Sequence, residues 1–300
     1  MPTALLAAAP ITWGVCELPS WGTVAPAGQV LDEIARAGFH GTELGPDGYL
    51  APDARALVNA LHSRALQLVG AFFPLPLYDP DGGHSAIAGG EALAKMLAAA
   101  NCKTLVAADA GDDGRRAIAG RVPAGPTLSK EQWQRAGDTL AELARRTAQY
   151  GVEVVFHPHA GTYVETETEL DALMRAAPAD LVFLCLDTGH IAYGGGDPVA
   201  VARRYGTRVR HVHVKDVSGD VLNRVREHAL DYSDAVGQGV FTPLGEGMVD
   251  FGGLVTELKR QRYAGWWVLE QDVRLGEPWP YQDPLENARR SRQYLAALLG

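Results

Sequence analysis

Cysteine is scarce in this chain: Cys16, Cys102 and Cys185 are the only three in 300 residues. An odd count without C-x-x-C spacing excludes a disulfide framework and points to a reducing cytoplasm. Cys185, inside LVFLCLD, reads as a small core residue. Excess positive charge is also missing. Lys and Arg total 27 against 36 Asp and Glu, a net charge of −9. That balance disfavours binding to a nucleic-acid backbone or to an anionic membrane surface. No apolar run approaches the roughly 18 residues of a membrane helix, and the opening MPTALLAAAPITWG lacks the basic start of a signal peptide. No G-x-G-x-x-G follows the first apolar segment. No Walker lysine follows the turns GPDGYL and GGGDP, and no G-x-S-x-G is present. Dinucleotide binding, phosphate cradling and a serine nucleophile lose their motifs.

What is present is alternation. Apolar, β-branched segments recur at LLAAAPITWG, GTELG, LQLVGAFFPL, KTLVAADA, VEVVFHPH, LVFLCLDTGH, VRHVHVKD and GWWVLEQD. Each is followed by a helical stretch such as AGQVLDEIARAG or the capped TETELDALMRAAP. The apolar segments are nearly continuous, as parallel strands covered on both faces require. Eight strand–helix pairs over residues 1–300 predict an α/β fold: one (β/α)8 TIM-barrel domain. A doubly wound open sheet is the alternative. Residues 217–247 are too long for a simple loop and are expected to form an ordered cover over one mouth of the barrel.

Reactive groups in such a barrel sit at the C-terminal ends of the strands. Glu43 ends the second segment, His157 and His159 the fifth, and Asp187 followed by His190 the sixth. His211, His213, Lys215 and Asp216 lie on the seventh, and Glu270 and Asp272 on the eighth. Five of the nine histidines fall in that set. A mixed set of imidazole and carboxylate donors from successive strands suits a borderline divalent cation: Mn²⁺, Co²⁺, Zn²⁺ or Fe²⁺ rather than Ca²⁺. Such an ion acidifies a C–H beside a carbonyl. His159 and His190 would then move protons, and Lys215 would hold a hydroxyl or an oxyanion. Taken singly, each group also has an ordinary role. Asp187 before Thr-Gly is a natural helix cap, Glu43 a salt-bridge partner, and His211 a structural residue. His62, His84 and His228 are read as surface residues.

The segments APITWG, AGFHGTELG, HPHAGT, LCLDTGHIAYGGGDP, HVHVKD and DPLENARRSRQYL resemble the xylose isomerase-like barrel superfamily over nearly the whole chain. The insertion VREHALDYSDAVGQGVFTPLGEGMVDF is similar to its inosose dehydratase branch. The resemblance implies that His157, Asp187, His213 and Glu270 hold a divalent metal, Mn²⁺ or Co²⁺ first, with Zn²⁺, Fe²⁺ or Mg²⁺ as alternatives. It implies catalytic roles for His159, His190 and Glu270 as acid–base groups and for Lys215 in holding the enolate, and a substrate pocket lined by Trp13, Glu43 and Lys215. The implied reaction is elimination of water from a cyclic keto-polyol, 2-keto-myo-inositol. A sugar isomerase or epimerase on the same metal is the alternative. His157 stands where epimerases carry a second glutamate, and Pro158 stands where the dehydratase pattern has histidine. A small polyol or sugar is the expected partner. A homo-oligomer is compatible with the chain, with Trp21, Trp279 and Tyr281 as candidates for an interface or a lid.

Overall fold

The computed structural model describes residues 5–300 apart from 17, 19–20, 52, 126 and 277–282, and only the backbone of 80–82 and 84. Trp279, Tyr281 and the His84 side chain lie outside the described residues. Eight parallel strands close on one another. They are β1 (Leu6–Ala8), β2 (Gly41–Glu43), β3 (Gln67–Leu75), β4 (Thr104–Asp109), β5 (Glu153–Phe156), β6 (Val182–Asp187), β7 (Val209–Val214) and, last in the chain, β10 (Trp267–Leu269). The order is β1-β10-β7-β6-β5-β4-β3-β2, and β1 pairs with both β2 and β10, so no open edge remains. The closed barrel is the one the alternation predicts, and the open-sheet alternative is excluded by the β1–β10 pairing.

Helices cover the barrel because their apolar residues recur every three or four positions. Lys130–Ala148 buries Trp133, Ala136, Leu140, Leu143, Ala144 and Thr147. Ser129 and Gln132 cap its start reciprocally, as Thr166 and Glu169 cap Glu167–Ala176. Each buried Leu or Val side chain contributes about 1.5–3 kcal/mol of transfer free energy.

Three strands are shorter than the apolar segments suggest, each for a local reason. The first stops at Ala8 because Pro10 cannot donate to a ladder, and Pro10–Trp13 forms a 3-10 turn instead. The fifth stops at Phe156 because Pro158 interrupts the pairing, after His157 N–H has bonded the Ala107 carbonyl. The sixth stops at Asp187, whose carboxylate accepts the His190 amide and starts the short helix Thr188–Tyr193.

The excursion after β7 carries two short antiparallel strands, β8 (Asp216–Val217) and β9 (Phe241–Thr242), and two helices, Gly219–His228 and Tyr232–Gly237. Its apolar side chains, among them Tyr232, Val236 and Phe241, pack with Trp21, Ala160 and Tyr193 at the mouth. The Asp216 carboxylate accepts four backbone amides, from Val217, Gly245, Gly247 and Val249, and so ties both ends of the excursion together.

Candidate metal and proton-transfer site

A cavity of about 260 Å³ opens at the C-terminal mouth, and Glu43, Asp109, His157, His159, Lys215, Tyr232, Glu270 and Asp272 are among its lining residues. His213 stands in a buried polar cluster that meets this cavity through His157, Lys215 and Glu270. Its Nδ1 lies 3.3 Å from Glu270 and 3.6 Å from Asp187, and its ring centroid is 4.9 Å from that of His157. The groups His157–Asp187–His190–Glu270 and His157–Cys185–His213 each present donor atoms within 4.8 Å of one another. Each pair among His157, Asp187, His213 and Glu270 therefore has donor atoms inside 4.8 Å.

Three of those donors make no hydrogen bond, although two of them, Asp187 Oδ2 and His213 Nδ1, have charged neighbours within 3.7 Å. His157 Nδ1, Asp187 Oδ2 and His213 Nδ1 are buried and have no hydrogen-bond partner. A native interior leaves few polar atoms in that condition. Three together, of mixed nitrogen and oxygen type and facing one another, fit a borderline divalent cation. Burial, then the field of His213, keeps the His157 pKa well below its ordinary value and leaves the ring neutral, the form that ligates. Burial alone would raise Glu270, but His213 and Lys215 overcome it and hold the carboxyl well below the usual range.

Glu43 supports this cluster from behind. Its Oε1 accepts from His211 Nε2 at 2.8 Å and from His213 Nε2 at 3.0 Å. Burial opposes a charge on His213, but Cys185, Glu270 and Glu43 overcome it and raise its pKa well above the ordinary value, so Nδ1 turns a proton towards Asp187 and Glu270 that a bound cation would displace. Burial pushes Glu43 up, yet the two histidines hold its pKa down at about 2. His211 is thereby a buried structural partner, and Glu43 serves the histidines as well as the cavity wall.

Lys215 is almost fully buried among Asp272 at 2.8 Å, Glu270 at 3.0 Å and Asp187 at 3.7 Å. Burial opposes its charge, and the three carboxylates overturn that opposition and raise its pKa. Its stem is pressed against Gly189 of the LDTGH segment. A Cβ there would lie 2.4 Å from Lys215 Cγ, so only glycine fits.

The two histidines expected to move protons differ. His190 is held at both nitrogens, by the Ala160 amide at 3.2 Å and by Lys215 Nζ at 2.8 Å, and does not line the cavity. His159 does line it. Its Nδ1 is 2.7 Å from the Ala160 carbonyl, which fixes the proton on Nδ1. Nε2 is left with its lone pair and no hydrogen-bond partner among the described residues. Burial, then Lys215, lowers its pKa and keeps it neutral.

Trp13 is not at the cavity. The turn Pro10–Trp13 sends the indole into the core, where its N–H donates to Glu33 of the helix Ala27–Arg36 at 2.7 Å. Trp21 lines the cavity, with its indole N–H donating to the Val273 carbonyl. Asp109, Arg116 and Tyr232 are cavity residues that the sequence reasoning missed. Asp109 ends β4, so the strand-end rule would have found it. Tyr232, whose hydroxyl bonds Asp272, comes from the excursion and carried no local pattern.

A family model described as xylose isomerase-like TIM barrel matches residues 31–298. The chain belongs to this family. Among curated relatives in the family, the rhizopine catabolism protein MocC of Rhizobium meliloti is 39% identical over 276 residues, covering 91% of this chain and 83% of MocC. The inosose dehydratase of Geobacillus kaustophilus is 33% identical over 297 residues, covering 97% and 93%. Among solved structures, the IOLI protein with a bound zinc atom superposes with a TM-score of 0.70 at 15% identity, covering 98% of this chain and 97% of that one. This xylose isomerase-like barrel is an enzyme of the dehydratase or isomerase/epimerase kind. None of its helices is long and apolar enough to cross a membrane among the described residues.

Proposed function

We propose that the chain is a metal-dependent dehydratase of a cyclic keto-polyol, with an inosose such as 2-keto-myo-inositol as substrate. The observation that carries this reading is the set of three buried donors without a hydrogen bond, His157 Nδ1, Asp187 Oδ2 and His213 Nδ1, clustered behind a cavity that His157 and Glu270 line and that also holds a free-faced imidazole. His157, Asp187, His213 and Glu270 would hold the cation. A divalent ion there supplies Lewis acidity, which polarises the substrate ketone and acidifies the adjacent C–H.

The protein's own groups account for the proton traffic. His159 Nε2, unpartnered and neutral, takes the proton α to the ketone. The Lys215 ammonium, fixed by three carboxylates, faces the negative charge that develops on the ketone oxygen. The protonated His159 then donates to the β-hydroxyl, which leaves as water while the C–O bond breaks and the C=C bond forms. The enol product relaxes to a dione. His190, held at both nitrogens, steadies Lys215 rather than meeting substrate. Trp21, Ile11 and Phe72 keep much of the wall apolar and limit water at the reacting carbon.

The names of the relatives agree with this class: one is an inosose dehydratase and one takes part in rhizopine catabolism. An epimerase that passes a proton across one carbon needs a second carboxylate facing Glu270, and His157 occupies that strand end. The test is to incubate full-length protein, loaded with Mn²⁺ or Co²⁺, with 2-keto-myo-inositol and to follow dione absorbance. Steady absorbance growth is expected. Solvent deuterium appearing in recovered substrate without loss of water identifies the epimerase instead, and no change in either readout overturns both.

A further inference from the structure

We propose that Asp109 is a specificity-determining residue, accepting a hydrogen bond from a hydroxyl of the bound ring on the cavity wall away from the cation floor. The inference rests on the keto-polyol reading and names how that substrate is chosen.

Asp109 ends β4 and is 3% exposed. Its Oδ2 accepts the Tyr163 amide at 2.8 Å, whereas Oδ1 has no hydrogen-bond partner. Asp109 belongs to none of the compact histidine–carboxylate groups among the described residues, and Lys215 does not reach it. The stranded oxygen therefore has a purpose separate from the metal floor. Burial is the main influence on this carboxyl and pushes its pKa up to about 6, against the pull of the Tyr163 and Gly111 amides.

The side chain cannot turn to satisfy itself. Gly111 has φ +57°, and a Cβ there would lie 2.8 Å from the Gly161 carbonyl, so the β4 and β5 loops meet backbone to backbone. Arg115 fixes the β5 loop by donating to the Thr162 carbonyl at 2.7 Å and pairing with Glu169 at 3.1 Å. The Tyr163 amide is thus presented to Oδ2 by a rigid frame.

A carboxylate accepts only, so the missing partner is a donor. Within the protein, Arg115 is committed to Glu169, and Arg116 pairs with Asp113 at 2.8 Å. Arg116 also lines the cavity, and its charge opposes an ammonium on the ligand. A neutral hydroxyl is the donor that fits. Phe72 and Pro74 of β3 line the same cavity and offer an apolar surface to a ring's C–H face. A polyol ring set against them can direct a hydroxyl to Oδ1 while its ketone faces the floor.

The test uses full-length, metal-loaded protein with 2-keto-myo-inositol and its series of monodeoxy analogues. Asp109→Ala should raise KM about 10- to 100-fold with kcat nearly unchanged and with metal content equal to wild type. One monodeoxy analogue should show the same loss with wild type and no further loss with Asp109→Ala. Asp109→Asn keeps an acceptor for the Tyr163 amide, guards against misfolding, and should lie between the two. An unchanged KM, losses that multiply for every analogue, or an amino analogue bound better than the parent overturns the proposal. Wild type that turns over no keto-polyol removes the dehydratase reading alone. Calorimetric titration with myo-inositol and its deoxy series then judges Asp109. Loss of discrimination in Asp109→Ala supports its role, and absence of polyol binding overturns it.

Discussion

Charges in the helical shell and charges at the barrel mouth live by different rules. In the shell, Arg204 reaches Glu167 and Asp171 at 2.8 and 2.9 Å, with side chains between a quarter and two-fifths exposed. Water shares the work of solvation there, and each pair is nearly dispensable. At the mouth, Lys215, Asp187, His213 and Glu270 have almost no water. They solvate one another, so removing one strands the rest. Catalysis needs the second condition, because a group that water can satisfy gains little from a ligand.

The sharpest way to break this contrast is Lys215→Met in metal-free protein. It leaves Asp187, Glu270 and Asp272 without their cation and should cost about 3–5 kcal/mol in urea unfolding. A smaller loss would mean that the mouth is wetter than its burial indicates.

Next comes pH. Asp109 has a folded pKa of about 6 against an ordinary value of 3.8. The folded state therefore binds more protons than the unfolded state between those values, and this residue's contribution to stability improves as pH falls from 7 towards 4. The change is about 3 kcal/mol. Asp109→Asn lacks the gain, so its stability relative to wild type should be most favourable at pH 7 and should decline towards pH 4. A difference that is flat with pH would deny Asp109 its buried, ionised state.

Glu43→Gln keeps the shape but weakens the hold on His213. Metal affinity, measured by chelator competition, should fall about 10- to 100-fold. An unchanged affinity would show that Glu43 only fills space. At the small end, Arg204→Ala should change stability by less than about 1 kcal/mol, with turnover unaffected.

The barrel was legible in the sequence because burial on both strand faces writes continuous apolar runs. The reactive rim was legible because strand ends point one way. That His157, Asp187, His213 and Glu270 would meet at one rim followed from that rule, whereas their reading as metal ligands rests on the family resemblance. Trp13 could not be placed, since one proline two residues after β1 decides which way an aromatic points. His159 and His190 look equivalent in the chain. Their difference rests on which nitrogens meet the Ala160 backbone and Lys215, a matter of tertiary position. Tyr232 reaches the cavity through an excursion whose path no periodicity records.

That excursion has its own lesson. About thirty residues leave the barrel after β7 and return, yet both ends are gathered on the one Asp216 carboxylate. The roof is hinged to the cylinder like a purse on a drawstring. A change between residues 219 and 241 would reshape the part of the cavity wall that Tyr232 supplies, while the knot would keep the eight staves beneath undisturbed.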